Sequence, residues 1–156
     1  MIYEDLEVFV KNIQANNALI GLDLGTKTIG VAVSDKTLSV ATPFKTIKRK
    51  KFSSDANCLL EIITDKLSSG IILGLPINMD GTEGPRAQST RAFARNFSTK
   101  SNLPITFWDE RLSTVAAEKA LLEADTTRKR RAEVIDHVAA AYILQGFLDR
   151  IKLLNN

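Results

Sequence analysis

Cysteine and histidine are almost absent: 156 residues contain one of each, Cys58 and His137. That excludes a disulfide framework within the chain and a zinc site built on a Cys/His majority. A Cys–His dyad would have to use this one pair, yet Cys58 sits in the apolar, helix-like run 57–63, the setting of a buried structural residue. No apolar run approaches the roughly 18 residues of a spanning helix. The start, with Glu4 and Asp5, is the opposite of a secretory leader, so the expected compartment is a reducing cytoplasm without membrane attachment. Aromatic residues make up only 6% and fall mostly at core periodicities, which argues against platforms for stacking single-stranded bases. A phosphate loop of the Walker type is missing too, because Gly21 is followed five positions later by Thr26 rather than Gly. What remains, 44% hydrophobic and 25% charged, is the profile of one globular domain, and a large two-lobed enzyme is excluded.

The net charge is +3, and its distribution says more than its size. Lys48-Arg49-Lys50-Lys51 and Arg128-Lys129-Arg130-Arg131 contribute +8 between them, leaving −5 on the other 148 residues. Two compact basic clusters on a mildly acidic body suit a polyanion held at particular places, and equally suit solvated loop tips. Charge does not decide between these; the chemistry between the clusters has to.

Periodicity supplies the elements. Residues 1–18 carry Leu6, Phe9, Val10 and Ile13 at helical spacing and read as a short helix docked on the flank of the domain. Strands are expected at 18–25 and 28–34, joined as a hairpin at Thr26-Lys27, and a third at 39–48, which must lie near a sheet edge because of Pro43. Then the rhythm changes to crossovers. A helix over 52–67, an apolar strand at 71–75 stopped by Pro76, and a helix opened by Pro85 to about Phe97 are followed by a strand at 105–108 and helices at 113–123 and 133–148. This order describes a mixed five-stranded sheet covered by helices. The segment 125–131, crowded with like charge, reads as a loop.

Three acids stand where chemistry would be expected. Asp23 interrupts an apolar strand, on the face it shares with Gly21 and Gly25, where small neighbours would leave room for something large and hydrated. Asp109 and Glu110 end a strand and point to opposite faces, so only one can join Asp23; the spacing leaves both open. Asp136 lies at the margin of a helix face formed by Ile135, Val138, Ala139 and Tyr142, or serves merely as a first-turn acid favoured by the helix dipole. Three carboxylates with no Cys/His set suit Mg²⁺ or Mn²⁺, one ion or a pair, of the kind that activates water for phosphodiester hydrolysis. The same first loop is also similar to the phosphate loop of actin-like and sugar-kinase proteins, but these enclose nucleotide between two domains.

The stretch Gly21-Leu22-Asp23-Leu24-Gly25-Thr26-Lys27-Thr28-Ile29-Gly30-Val31-Ala32 is joined in order by Gly74-Leu75-Pro76, Asp80-Gly81-Thr82-Glu83-Gly84, Asp109-Glu110-Arg111-Leu112-Ser113-Thr114 and Asp136-His137-Val138-Ala139-Ala140. As a set these closely resemble the YqgF family, also called RuvX, of bacterial ribonuclease H-like proteins, over about residues 19–150. The resemblance implies an α/β ribonuclease H-like fold, a mixed five-stranded sheet with helices on both faces. Residues 1–18 would form an extension and 151–156 a tail. It implies a cytoplasmic, Mg²⁺- or Mn²⁺-dependent nuclease acting on structured RNA, maturing the 5′ end of pre-16S rRNA, as a monomer or homodimer with no dedicated protein partner. A Holliday-junction or other branched-DNA nuclease, or an inactive RNA-binding assembly factor, are its alternatives. Motif matching names Asp23, Glu110 and Asp136 as catalytic, metal-holding acids, which selects Glu110 over Asp109 by resemblance only. The basic residues expected on nucleic acid are Lys27, Lys48, Arg49, Lys50, Lys51, Arg86, Arg111, Arg128, Lys129, Arg130 and Arg131. One departure matters: related resolvases carry two acids three apart on the last helix, whereas position 139 is Ala, leaving Glu133 as the acid at that distance from Asp136.

Overall fold

A five-stranded mixed sheet organises the chain in the order β3-β2-β1-β4-β5. The computed structural model describes residues 1–112 and 128–154, with backbone alone for 128–135. Strand β1 (Ala18–Leu24) pairs antiparallel with β2 (Thr28–Ser34), and β2 with the edge strand β3 (Ala41–Lys48). Strand β4 (Ser68–Leu75) runs parallel to β1, and β5 (Ile105–Asp109) parallel to β4. Pro43 sits on edge strand β3, as its missing N–H requires. Strand β4 begins three residues earlier than the apolar run at 71–75 indicates, because Ser68 Oγ donates to the Gly70 carbonyl and lets polar residues enter a buried strand.

Period-2 alternation divides the sheet into two unlike faces. Ile20, Leu22, Leu24, Ile29, Val31, Ile71 and Leu73 point to one side, where they pack on α2 (Phe52–Lys66) and α3 (Pro85–Ser98) through Leu59, Ile62, Phe93 and Phe97. Leu19, Ala32, Ile72 and Trp108 point to the other, against α1 (Leu6–Lys11) and the long helix α4 (Arg128–Leu154). Helices therefore cover both faces. Among the described residues, no helix is long and apolar enough to cross a membrane.

Residues 1–18 are sewn to this body. Ile2 forms a parallel bridge with Ile105, and Tyr3 N–H donates to the Ile105 carbonyl at 2.8 Å, extending the sheet past β5. Phe9 is fully buried, edge-on to Phe147 at 5.5 Å between ring centres. Arg91 of α3 pairs with Glu4 at 2.5 Å and with Glu83, its guanidinium lying 4.8 Å from the centre of the Phe107 ring.

Helix α4 departs furthest from expectation. It starts five residues before Glu133 and runs six past Leu148, so residues 128–131 are helical rather than loop. Its buried line is Ala139, Ala140, Ile143, Leu144, Phe147, Leu148 and Ile151, while Tyr142 is exposed. The stretch is apolar nearly all round, so its pattern does not fix the helix phase. The helix expected at 113–123 and residues 125–127 lie outside the described residues.

Candidate active site

Asp23 is 5% exposed, near the carboxyl end of β1, on the face covered by α4. Its partner across the antiparallel ladder is Gly30, and α4 lies so close there that a Cβ on Gly30 would fall 1.8 Å from the Asp136 carbonyl oxygen. The small residue opposite Asp23 thus admits the backbone of α4. Asp136, the ninth residue of α4, is two turns inside the helix, so first-turn dipole stabilisation does not account for it. It lies one and two turns before the buried Ala140 and Ile143, on the buried line itself. Its Oδ2 accepts from Thr28 Oγ1 at 2.5 Å, a contact that ties the helix acid to the first residue of β2.

Glu110 follows β5 in a short 3₁₀ turn, 110–112. Alternation from Trp108 puts it on the α4 face, and its carboxyl carbon would lie 3.4 Å from a Cβ on Gly74. Gly74 is one step past the last registered pair, Leu22 with Leu73, and so is level with Asp23. Asp23 is therefore flanked by two glycines, one beneath the Asp136 backbone and one beneath the Glu110 carboxyl. Asp109 faces away and is held by Arg111 at 2.8 Å; hydrogen bonds from that guanidinium keep its carboxyl below the usual aspartate range.

The donors are all carboxylate oxygens on one sheet face, the chemistry that a hard divalent cation selects. They surround Asp23 without converging: among the described residues no three His, Cys, Asp or Glu side chains gather closely enough to hold one ion. The Glu133 side chain and those of Arg128, Lys129, Arg130 and Arg131 lie outside the description.

The expected nucleic-acid residues divide into two kinds. Lys27, Lys48, Lys50 and Lys51 are exposed. Arg86 and Arg111 are exposed too and Arg49 is half-buried, but these three also donate to protein: Arg49 Nη1 to the Gly25 carbonyl at 2.6 Å, Arg86 Nη2 to the Leu24 carbonyl at 3.3 Å, and Arg111 to Asp109 and the Asn78 carbonyl. Long side chains carrying a planar fork reach backbone carbonyls that lysine meets less well. Around Arg111, the loop bearing Asp80 closes on itself, with Thr82 Oγ1 and N donating to Asp80 Oδ1, and those bonds lower the Asp80 pKa. Sequence reasoning passed over Thr28 and the buried Asp55, which accepts from Lys50 N–H at 3.0 Å and anchors the first basic cluster. Thr28, on the same face as Asp23 one turn away, carried a readable signal; so did Asp55, an acid in the first turn of α2.

Comparison with known proteins agrees with this architecture. The family described as "RuvX: Holliday junction resolvase" matches residues 17–150. A protein of Ruegeria pomeroyi named "Putative pre-16S rRNA nuclease" is 68% identical over 154 residues, 99% of this chain and 100% of its own. One of the same name from Paracoccus denitrificans is 65% identical, over 99% of this chain and 98% of its own. Thermus thermophilus RuvC in complex with a Holliday junction substrate superposes at a TM-score of 0.55 with 12% identity, over 87% of this chain and 96% of that one. At such identity the likeness is one of fold, and the fold is ribonuclease H-like.

Proposed function

Since this chain belongs to the RuvX family, we infer that it is a nuclease hydrolysing phosphodiester bonds, and that its substrate is structured RNA at the 5′ end of the 16S rRNA precursor. We place that activity in the cytoplasm, in a monomer or homodimer. One observation carries the reading at the level of residues: Asp23, Glu110 and Asp136 come from three elements to one face of the sheet, with Asp23 between two glycines that give the others room. These acids would hold one or two Mg²⁺ or Mn²⁺ ions on being drawn closer together than they stand here. When bound, such ions supply an activated water and stabilise the leaving oxygen of the phosphodiester.

The remaining work falls to the chain. Lys27, Lys48, Lys50 and Lys51 would hold backbone phosphates beside Asp23, with Arg128, Lys129, Arg130 and Arg131 doing so beyond it, giving salt-dependent affinity without sequence selectivity. Thr28 keeps Asp136 turned toward the β1–β2 turn. With Ala at 139, the acid three residues from Asp136 is Glu133, and without a fourth ligand from it the set would hold metal more loosely.

The test is cleavage of a 16S precursor fragment carrying its 5′ leader, in Mg²⁺ or Mn²⁺ against chelator. Asp23→Asn should abolish cutting, hold or raise RNA affinity in chelator, and leave the melting temperature in chelator equal or higher, because clustered like charge is relieved. A folded Asp23→Asn protein cutting at the wild-type rate overturns the site. The family description favours a second reading, cleavage of branched DNA. A four-way DNA junction cut in preference to the RNA would move the assignment there, and RNA binding without metal-dependent cleavage of either would make the chain an assembly factor.

A further inference from the structure

The two strands of the hairpin that carries Asp23 are joined by a turn whose carbonyls are gripped from outside the hairpin. The β1–β4 ladder ends at Leu22 with Leu73, and β4 runs into Pro76, which brings no N–H. Beyond that point the Leu24 carbonyl accepts from Arg86, on the first turn of α3, and the Gly25 carbonyl accepts from Arg49, in the connection from β3 to α2. Arg49 is half-buried, with its guanidinium 5.9 Å from the centre of the Phe93 ring; Phe93 is itself wedged between Phe52 and Phe97. The backbone of the basic segment is pinned as well: Arg49 N–H donates to the Lys27 carbonyl at 2.9 Å and Lys50 N–H to buried Asp55. The Lys-Arg-Lys-Lys cluster is thus a structured strap with one member turned inward and three outward.

We propose that Arg49 and Arg86 are positioning residues for the reaction rather than contacts to substrate phosphate: they hold the two consecutive carbonyls after Asp23, and so set where its carboxylate and Lys27 stand. This rests on the reading of Asp23 as a metal-holding catalytic acid. Both guanidiniums approach from the α2 and α3 side, opposite the side on which α4 brings Asp136. The turn is therefore clamped between two helical layers, and Gly25 N–H closes it onto the Thr28 carbonyl at 2.8 Å. Thr28 in turn holds Asp136, so a slack turn would misplace both acids together. Lysine should replace neither guanidinium, since a single ammonium lacks the planar fork and, at Arg49, the flat face that lies over Phe93.

Four variants test this: Arg49→Gln, Arg86→Gln, and the Lys version of each, which keeps charge and stem should a Gln variant fold poorly. Melting temperatures are taken on the same preparations. Three quantities are read: amide hydrogen exchange at Gly25 and Thr28 without substrate, affinity and salt dependence for the 16S precursor fragment in chelator, and kcat and KM for its cleavage. We expect all four to speed exchange at the turn and to lower kcat about tenfold or more at little-changed KM, since small misplacement of reacting groups is costly. RNA affinity and its salt slope should stay within about twofold of wild type, because no phosphate contact is lost. Weakened RNA binding in the Gln variants, rescued by Lys, with turn exchange unaltered, would overturn the proposal and make both residues phosphate contacts. Should the wild-type protein cleave nothing, the nuclease reading fails, yet exchange at the turn still decides whether the guanidiniums set it.

Discussion

The two faces of the sheet are built on opposite principles. Toward α2 and α3 the strands present Ile, Leu and Val, which meet Leu59, Ile62, Phe93 and Phe97 in an ordinary side-chain layer. Toward α4 they present Leu19, Ile72 and Trp108 as well, but around Asp23 the residues are Gly30, Ala32 and Gly74, and at Gly30 helix backbone comes down onto strand backbone. Large side chains hold helices off a sheet and make stability; small ones let a helix close in, and that closeness brings Asp136 to the level of Asp23, while the end of β5 brings Glu110 there. The first face should fail by losing folded protein, and the second by losing the alignment of acids while much of the core survives.

The largest combined effect is expected at Gly30→Ala. Its new Cβ would meet the Asp136 carbonyl, backbone that cannot swing aside, so α4 must lift. We expect destabilisation at or above the upper end of the about 1–3 kcal/mol typical of overpacking. We also expect roughly a hundredfold loss of cleavage per folded molecule. Urea titration and single-turnover cleavage on one preparation separate the two losses. Leu59→Ala on the opposite face should cost about 2–5 kcal/mol through the cavity it leaves, with cleavage falling only as the folded fraction falls. A comparable loss of rate per folded molecule at Leu59→Ala would erase the distinction between the faces.

The smallest effect belongs to neither face. Asp35, in the β2–β3 turn, accepts from the Thr37 hydroxyl and from the amides of Ser39 and Val40, and these bonds lower its pKa from 3.8 to about 2. A carboxyl depressed in the folded state adds stability that is present in full above its ordinary pKa and is lost as pH falls through the folded value. The melting-temperature gap between wild type and Asp35→Asn should therefore hold above pH 3.8 and close as pH falls through about 2, with no change in cleavage near neutrality. A gap that persists below that range would mean the turn gains nothing from the charge.

Strand identity, the edge position of β3 and the oddity of Asp23 were all legible along the chain, because alternation, proline and an acid among apolar residues are local facts. So were most bounds of α2 and α3, whose apolar periodicity is one-sided. The phase of α4 was not, since Ile135, Val138, Ala139, Ala140 and Ala141 offer several apolar faces, and only contact with Gly30 and Gly74 selects one. By resemblance Glu110 could be preferred to Asp109; the strand's own alternation separates them only after Trp108 is seen to face α4. The arginines mark the sharpest limit. The chain offers Arg49, Arg86 and Arg111 as positive charge for a polyanion, and it does not show that a guanidinium at the end of a long, flexible side chain also reaches whichever acceptor the fold brings near. Here those acceptors are the Gly25 and Leu24 carbonyls and Asp109. Element type follows from neighbours in sequence, whereas the partner of a long charged side chain follows from neighbours in space, and those exist only once the sheet is assembled.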